Sequence, residues 1–535
     1  MVSLLRPLPL MVLLVLLAAP PSGLGQKFYA DDPIAAMPKP LSIEPPQDRN
    51  SHVLYDFIWN SVRPHPRPAK PAQGVNTLGE VPDSEWFTNR HGRERLTRDQ
   101  LRQGPGSDQP PLPPCVVLGA KTEGITPGFR MKDAAGRLYF VKADPASNPE
   151  MATAADVIGS RFLHAAGYNT PQNYIVRLQR SQLSVSPNAT LEVSGIRRRM
   201  TEKDLDIVLG QTRKRSDGSY RLLASLALEG EVIGSFSYEG TRWDDPNDTV
   251  SHEDRRDLRG LHVLCAWLNH TDAKSGNTLD VFVEENGLSF VRHFLIDFGA
   301  ILGSDSDMPK NARFGHEYIF PAPGKAWKAM FSLGLYSPRW ERIDYPGMKA
   351  VGRFEAEVFD PETWKSNYPN PAFLSRLPDD EYWAAKTVMA FTDEDIRTIV
   401  ETGEYTDPEV VNYITEALVA RRDKIGRTYF SKVLPLDDFR VSSGHLHFED
   451  LAVKFGFTPP REYEISWFRF NNESETESSV LASSTTRLPA EMEQSKPGAY
   501  FGARIRARGA AQRTVTVYLR CEQPTARVIG IERTW

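Results

Sequence analysis

Three polar residues near the middle of the chain have the types and spacing that phosphoryl transfer requires. Asp272 and Asn277 lie in one polar stretch, and Asp297 follows an apolar run further along. Residues 278–296 alternate like two strands joined by a turn at 284–287, which predicts a β-hairpin. This hairpin would place Asp297 beside the loop that contains the other two residues. One carboxylate could then orient a hydroxyl, while the asparagine and the second carboxylate hold Mg²⁺ against nucleotide phosphates.

Two elements upstream present a lysine and a glutamate. The turn signal at 133–136 predicts a hairpin whose second strand contains Lys142. A helix should follow, with Asn148 as its cap and Gly167 at its end. Glu150 lies in the first turn, where the helix dipole alone would favour a carboxylate. The ordinary alternative for the lysine is a solvent-facing position on an edge strand.

A second helix should lead directly into the polar loop. Ser251 and Asp254 form a capping-box pattern, and the leucines that follow recur at helical spacing as far as Leu268. Between the two helices the chain contains short strand-like segments and basic patches that we expect to face solvent. The order of elements is therefore hairpin, helix, further strands, helix, loop and hairpin.

The loop and the second hairpin resemble the protein-kinase superfamily, and specifically atypical members such as HipA-type and secretory-pathway kinases. Residues 270–277 match the pattern H-x-D-x-x-x-x-N, and residues 297–299 match D-F-G. The resemblance covers about 116–434. It implies an α+β, two-lobed, protein-kinase-like fold that uses ATP and Mg²⁺. Glycines at 119, 124 and 128 could form a loop over phosphates or an ordinary turn, because their spacing is not G-x-G-x-x-G.

The resemblance also implies a role for each candidate residue. Asp272 would accept the proton of the acceptor hydroxyl, and Lys274 would contact the transferred group. Lys142 would bind the nucleotide phosphates. In HipA-type kinases a similar glutamate opens the corresponding helix, so Glu150 is expected to pair with that lysine. The ligands of Mg²⁺ would be Asn277 and Asp297.

The expected function is that of a secreted, atypical, kinase-like phosphotransferase acting on a hydroxyl-bearing acceptor. The acceptor could be a protein, a sugar or a lipid, and some superfamily members transfer AMP instead of phosphate. The alternative is a catalytically silent kinase-fold scaffold or binding protein of the cell envelope. A purely structural envelope protein is a third interpretation.

Composition and the amino terminus limit the partners and the location. The chain has 535 residues and a net charge of -5, which is too mild to indicate nucleic acid or an anionic membrane as a partner. Residues 1–25 resemble a signal peptide with cleavage after Gly25, so we expect a secreted or periplasmic protein. The apolar run is too short to indicate an integral membrane protein. Three cysteines allow at most one disulfide.

The rest of the chain divides by composition. After the signal peptide, 26–114 is rich in proline and arginine and is expected to be extended and weakly packed, although residues 81–87 could dock onto the following domain. A small lobe with an insertion would occupy 115–250, and a helical large lobe with the catalytic loop would occupy 251–435. Short alternating segments in 436–535 predict an all-β, sandwich-like domain, through which an envelope partner could bind.

Overall fold

The computed structural model describes residues 25–49, 52–62, 70–107, 110–120, 127–193, 196–320, 338–481, 485–509, 512–523 and 525–535. It combines helices with several separate β-sheets, as an α+β protein does. The predicted signal peptide lies outside the described residues except for Gly25. Among the described helices, none is long and apolar enough to cross a membrane. All three cysteines are buried and free.

The described residues of the amino-terminal arm, 26–114, pack against the rest of the molecule. It contains α1 (His52–Val62) and α2 (Arg98–Gln103) and is otherwise irregular. Phe28 and Trp86 are only 2% and 4% exposed, and the Trp86 ring stacks on His293 with centroids 3.5 Å apart. The expectation of a weakly packed arm is therefore wrong. Single large aromatic residues anchor it, and such isolated anchors produce no periodic pattern in the sequence.

A seven-stranded sheet follows the arm, in the order β4-β7-β3-β2-β1-β5-β6. Its strands are β1 (Cys115–Ala120), β2 (Gly128–Lys132), β3 (Leu138–Ala143), β4 (Asn173–Gln179), β5 (Leu183–Val193), β6 (Ile196–Arg199) and β7 (Ser219–Leu226). The predicted hairpin is confirmed, since β2 and β3 pair from Gly128 with Lys142 to Lys132 with Leu138. Two helices lie within this part of the chain, α3 (Met151–Ala166) and α4 (Glu202–Gly210).

The helical part surrounds α5 (Arg256–Leu268), every residue of which is buried. It also contains α6 (Pro371–Leu374), α7 (Pro378–Met389), α8 (Asp393–Glu401) and α9 (Pro408–Phe430). The predicted helix starts near Thr392 and Asp407 are confirmed, because both side chains accept hydrogen bonds from backbone N–H groups of the first turn. Ser251, by contrast, is not the cap, and α5 begins only after a short 3₁₀ turn at His252–Asp254.

A three-stranded sheet is built from one short strand that precedes α5 in the chain and two strands that follow it. It is formed by β8 (Glu231–Val232), β9 (Thr278–Glu285) and β10 (Leu288–Leu295). The hairpin of β9 and β10 is confirmed, with Thr278 opposite Leu295 and a turn at Asn286 and Gly287. Both turn residues have positive φ, the conformation that an Asn-Gly turn favours.

The carboxyl-terminal residues form a five-stranded antiparallel sheet and a separate two-stranded hairpin. The elements are β11 (Leu436–Ser442), β12 (His445–Asp450), α10 (Leu451–Lys454), β13 (Tyr463–Asn471), β14 (Thr476–Leu481), α11 (Ala490–Glu493), β15 (Tyr500–Ala507), β16 (Thr514–Glu522) and β17 (Thr525–Arg533). One face of the large sheet packs on the hairpin through Trp467 and Leu446. Phe28 of the arm lies in the aromatic cluster on the other face, with Phe470 and Tyr518.

Candidate functional site

A cleft of about 870 Å³ lies under the seven-stranded sheet. Alternate residues of β3, namely Leu138, Phe140 and Lys142, point into it, as the period of two in a strand requires. From the opposite side, Leu279 of β9 and Asp297 after β10 complete the lining. The cleft therefore has mainly apolar walls and a charged end.

Lys142 is held at the charged end of this cleft by two carboxylates. Its Nζ lies 3.1 Å from Asp156 Oδ2 and 2.6 Å from Asp297 Oδ1. Burial works against the ammonium, but Asp156 and then Asp297 outweigh it and raise the pKa of Lys142 above its ordinary value. The lysine consequently stays charged and joins β3, α3 and the segment after β10 at one point.

Asp156 also fixes the backbone next to Asp297. Its Oδ1 accepts a hydrogen bond of 2.7 Å from the backbone N–H of Phe298. The Phe298 ring is fully buried, and it packs so close to α3 that a Cβ added at Gly159 would lie 2.6 Å from the Phe298 Cβ. Glycine at that position is therefore required for the close approach. Asp297 itself has φ 60°, a left-handed conformation that non-glycine residues rarely adopt.

The predicted pairing of Glu150 with Lys142 is wrong. The Glu150 carboxylate accepts a hydrogen bond of 2.8 Å from the backbone N–H of Thr406 and a second one from the Thr406 hydroxyl. The partner of the lysine is Asp156, which lies further along the same helix and is only 2% exposed. An aspartate inside the apolar stripe of a predicted helix is the signal that could have identified it.

The reason for the error is the position of the helix start. Asn148 is not the cap, because α3 begins at Met151 and Glu150 takes the N-cap position with φ 69°. The side chain of the buried Asp144 supplies the capping hydrogen bonds instead, and its Oδ1 accepts from the N–H groups of Ala152 and Thr153 at 2.9 Å each. Glu150 thus lies outside the first turn, away from the cleft.

The loop that follows α5 brings the other candidate residues together. Asn277 Nδ2 donates to both the backbone oxygen and Oδ2 of Asp272, at 2.8 Å each. Lys274 Nζ lies 2.9 Å from Asp272 Oδ1. The backbone oxygen of Asn277 accepts a hydrogen bond of 3.0 Å from the N–H of Ile296, the residue before Asp297. A continuous set of contacts therefore links five of the six candidate residues, and Glu150 alone lies outside it.

Lys310 is a buried lysine beside this loop that sequence reasoning missed. It is 1% exposed, and its Nζ donates to the backbone oxygens of Asn269 and Ala300 at 2.8 and 2.6 Å. Burial lowers its pKa to about 7, although Asp305 and Asp272 act in the opposite direction. The lysine thus ties the start of the loop to the segment after Asp297. Its irregular, polar surroundings in the sequence contain no signal for such a position.

His270 is a structural residue of the loop. Its ring is buried next to Phe298, and its backbone N–H donates a hydrogen bond of 2.7 Å to the backbone oxygen of Cys265 in the last turn of α5. Burial, with a smaller effect of Lys310, lowers the pKa of His270 to about 4. The imidazole is therefore neutral at ordinary pH, which suits a residue that orders the loop rather than one that exchanges protons.

The glycines near β1 have packing reasons of their own. A Cβ at Gly119 would lie 2.6 Å from the Thr190 backbone oxygen, and one at Gly128 would lie 2.3 Å from the Val141 oxygen. Close strand approach therefore explains both glycines. Gly124, the third glycine of the predicted loop, lies outside the described residues.

The oxygen donors near Asp297 fit a hard divalent cation. The Asp297 side chain is 39% exposed toward the cleft, and Asn277 can offer its Oδ1 because its Nδ2 is engaged by Asp272. Mg²⁺ typically binds one or two carboxylates and takes its other ligands from water and phosphate. Within the described part of the chain, no three His, Cys, Asp or Glu side chains are grouped so that they could hold a metal by themselves.

Comparisons with known proteins leave the family of this chain open. No protein-family model, no curated protein and no solved structure matches it.

Proposed function

We propose that this protein is an exported, ATP-dependent phosphotransferase with a two-lobed, protein-kinase-like core. The main support is the position of Lys142 between Asp156 and Asp297 at the end of a large cleft. Residues 115–250 would form the small lobe, and 251–435 would form the large lobe. Export would depend on the signal peptide predicted at 1–25, and an envelope partner could bind through the carboxyl-terminal residues 436–535.

The cleft has the properties that a nucleotide needs. Its volume of about 870 Å³ is within the range of cofactor sites. Leu138 and Phe140 above and Leu279 below could enclose a flat heteroaromatic base between apolar surfaces. At the charged end, the ammonium of Lys142 could bind phosphate oxygens in exchange for part of its contact with Asp297.

The loop residues then have distinct roles in the transfer. Asp272 orients the acceptor hydroxyl and accepts its proton, and Lys274 holds the carboxylate in place at 2.9 Å. Burial opposes the charge of Lys274, but Asp272 outweighs it and raises the pKa of the lysine, so it remains a cation. Asn277 and Asp297 would hold Mg²⁺, and the cation would neutralise part of the phosphate charge.

The test is nucleotide binding and turnover by the purified protein. We expect MgATP to bind and ADP to be released slowly even without an added acceptor, and Asp272→Asn should lower turnover by about 10²–10⁴-fold. Asp297→Asn should remove the dependence of binding on Mg²⁺. Asp31→Asn is the matched control, because Asp31 is an exposed residue of the arm.

Two results would contradict the proposal. If calorimetry detects no MgATP binding, the cleft is not a nucleotide site. If MgATP binds and ADP is never released with any hydroxyl acceptor, the protein is a silent scaffold rather than a phosphotransferase.

A further inference from the structure

A second pocket, of about 410 Å³, lies beside the loop and apart from the nucleotide cleft. Helix α1 of the amino-terminal arm forms one wall, and residues 368–371 form another. The two walls meet the loop at Lys274–Gly276. The described polar and aromatic residues of its lining are Asp56, Asn60, Tyr238, Lys274, Ser275, Tyr368 and Asn370.

Short contacts connect the pocket to Asp272, the residue proposed to accept the proton of the acceptor hydroxyl. Lys274, part of its lining, lies 2.9 Å from Asp272. The wall at 368–371 also contacts the loop, since the backbone N–H of Asn367 donates a hydrogen bond of 2.6 Å to the backbone oxygen of Thr271. A Cβ added at Gly276 would lie 3.3 Å from Val53, so α1 packs directly on the loop. A ligand that contacts Lys274 in this pocket would therefore lie one side chain away from Asp272.

The chemistry of the walls selects a class of ligand. Of the described residues that line the pocket, only Asp56 and Lys274 are charged, and the lysine is already paired with Asp272. An anionic ligand would thus meet no uncompensated cation. The carboxylate of Asp56, the amide of Asn60 and the face of Tyr368 instead suit a compound with many hydroxyls and apolar C–H faces. The Asn370 amide caps α6 and serves as part of the wall.

We infer that this pocket is the acceptor site and that it takes a neutral polyhydroxylated compound, a sugar or a polyol. The inference rests on the proposed phosphotransferase function. A hydroxyl oxygen of the acceptor forms the new bond to the γ-phosphorus, and the bond from that phosphorus to the β,γ-bridging oxygen breaks. The hydroxyl proton goes to Asp272, and ADP leaves with the electron pair of the broken bond.

The test uses four probes with the full-length protein: D-glucose, N-acetyl-D-glucosamine, glycerol and a pool of peptides containing Ser and Thr. Saturation-transfer NMR without nucleotide measures binding, and ADP release with MgATP measures turnover. At least one of the three neutral probes should bind and should raise ADP release severalfold. Asp56→Asn and Asn60→Ala should each raise the KM for that probe about tenfold, because each loses a polar contact.

Ile58→Ala is the control within the same helix, because Ile58 is 52% exposed and is not part of the pocket lining. It should leave both measurements unchanged. Stimulation by the peptide pool alone, or an unchanged KM in both α1 variants, would overturn the inference. Failure of all three neutral probes to bind while MgATP binds would refute the acceptor class but not the proposed function. If a saccharide binds but MgATP does not, the proposed phosphotransferase function is refuted, while the pocket remains a saccharide-binding site.

Discussion

Replacement of Lys142 by methionine tests the central contact of the site. The Lys142 side chain is 19% exposed, and that of its partner Asp156 is 3% exposed, so the substitution leaves a buried carboxylate without its cation. Removing one partner of a buried ion pair costs about 3–5 kcal/mol. Asp297 is 39% exposed and is therefore screened by water, so it adds little to this cost. We expect a loss of about 3 kcal/mol in the free energy of unfolding.

A double-mutant cycle separates this structural cost from nucleotide binding. In Asp156→Asn the amide oxygen can still accept the hydrogen bond from Phe298, at 2.7 Å in the wild type, but the buried charge is gone. The double variant Lys142→Met/Asp156→Asn should therefore recover about 2 kcal/mol of the stability that Lys142→Met loses. It should nevertheless bind MgATP at least about tenfold more weakly than the wild type, because the phosphate-binding cation is missing.

The measurements are urea unfolding followed by tryptophan fluorescence and calorimetric titration with MgATP. Lys132→Met is the matched control, since Lys132 is an exposed lysine at the end of the neighbouring strand β2. Additive effects of the two substitutions on stability would show that the lysine and Asp156 are not energetically coupled. Wild-type MgATP affinity in the double variant would refute the role of Lys142 in the site.

Three further substitutions test other parts of the structure. Glu150→Gln should keep the MgATP affinity within about twofold of the wild-type value, because the Glu150 carboxylate bonds to Thr406 rather than to Lys142. A large loss of MgATP affinity in calorimetry would contradict this. Phe28→Ala should lower the free energy of unfolding by about 3 kcal/mol, unlike the exposed control Tyr29→Ala, and equal urea midpoints would refute the anchoring of the arm. The pKa of Lys310 is about 7, below the ordinary 10.5, so between these values the unfolded chain binds more protons and stability rises with pH. The stability of the wild type relative to Lys310→Met should therefore increase by about 1.4 kcal/mol per unit from pH 7 to about pH 9, and a flat or falling difference in urea titrations would refute the burial of a titrating amine.

The local part of the site could be predicted from the sequence. The hairpin of β9 and β10 has alternating residues and an Asn-Gly turn, and these signals act over a few residues. Its geometry then brings Asp297 next to Asn277 through the Ile296 hydrogen bond. The contact of Lys142 with Asp297 was not predicted, because the sequence analysis paired this lysine with Glu150. The α+β class that the resemblance implies agrees with the mixture of helices and sheets in the structure.

The contacts that sequence reasoning missed depend on where distant elements pack. Asp156 becomes the partner of Lys142 only because α3 begins at Met151, and that start is set by Asp144 rather than by the Asn-Pro pair before it. Strand β14 is a second example, because its sequence contains serine and threonine and resembles a turn, and its pairing with β13 supplies the order. In both cases a tertiary contact outweighs the local preference.

The arm is the clearest case in which composition and structure diverge, and its anchors bear on the acceptor pocket. Phe28 holds the beginning of the arm on the carboxyl-terminal sheet, and Trp86 holds its later part on His293 of β10. Helix α1 lies between these two anchors in the chain and reaches the loop at Gly276. The wall that α1 adds to the pocket is placed by its own contact with the loop, where Val53 lies against Gly276. A proline-rich segment can therefore shape a binding site when a few large side chains fix its path.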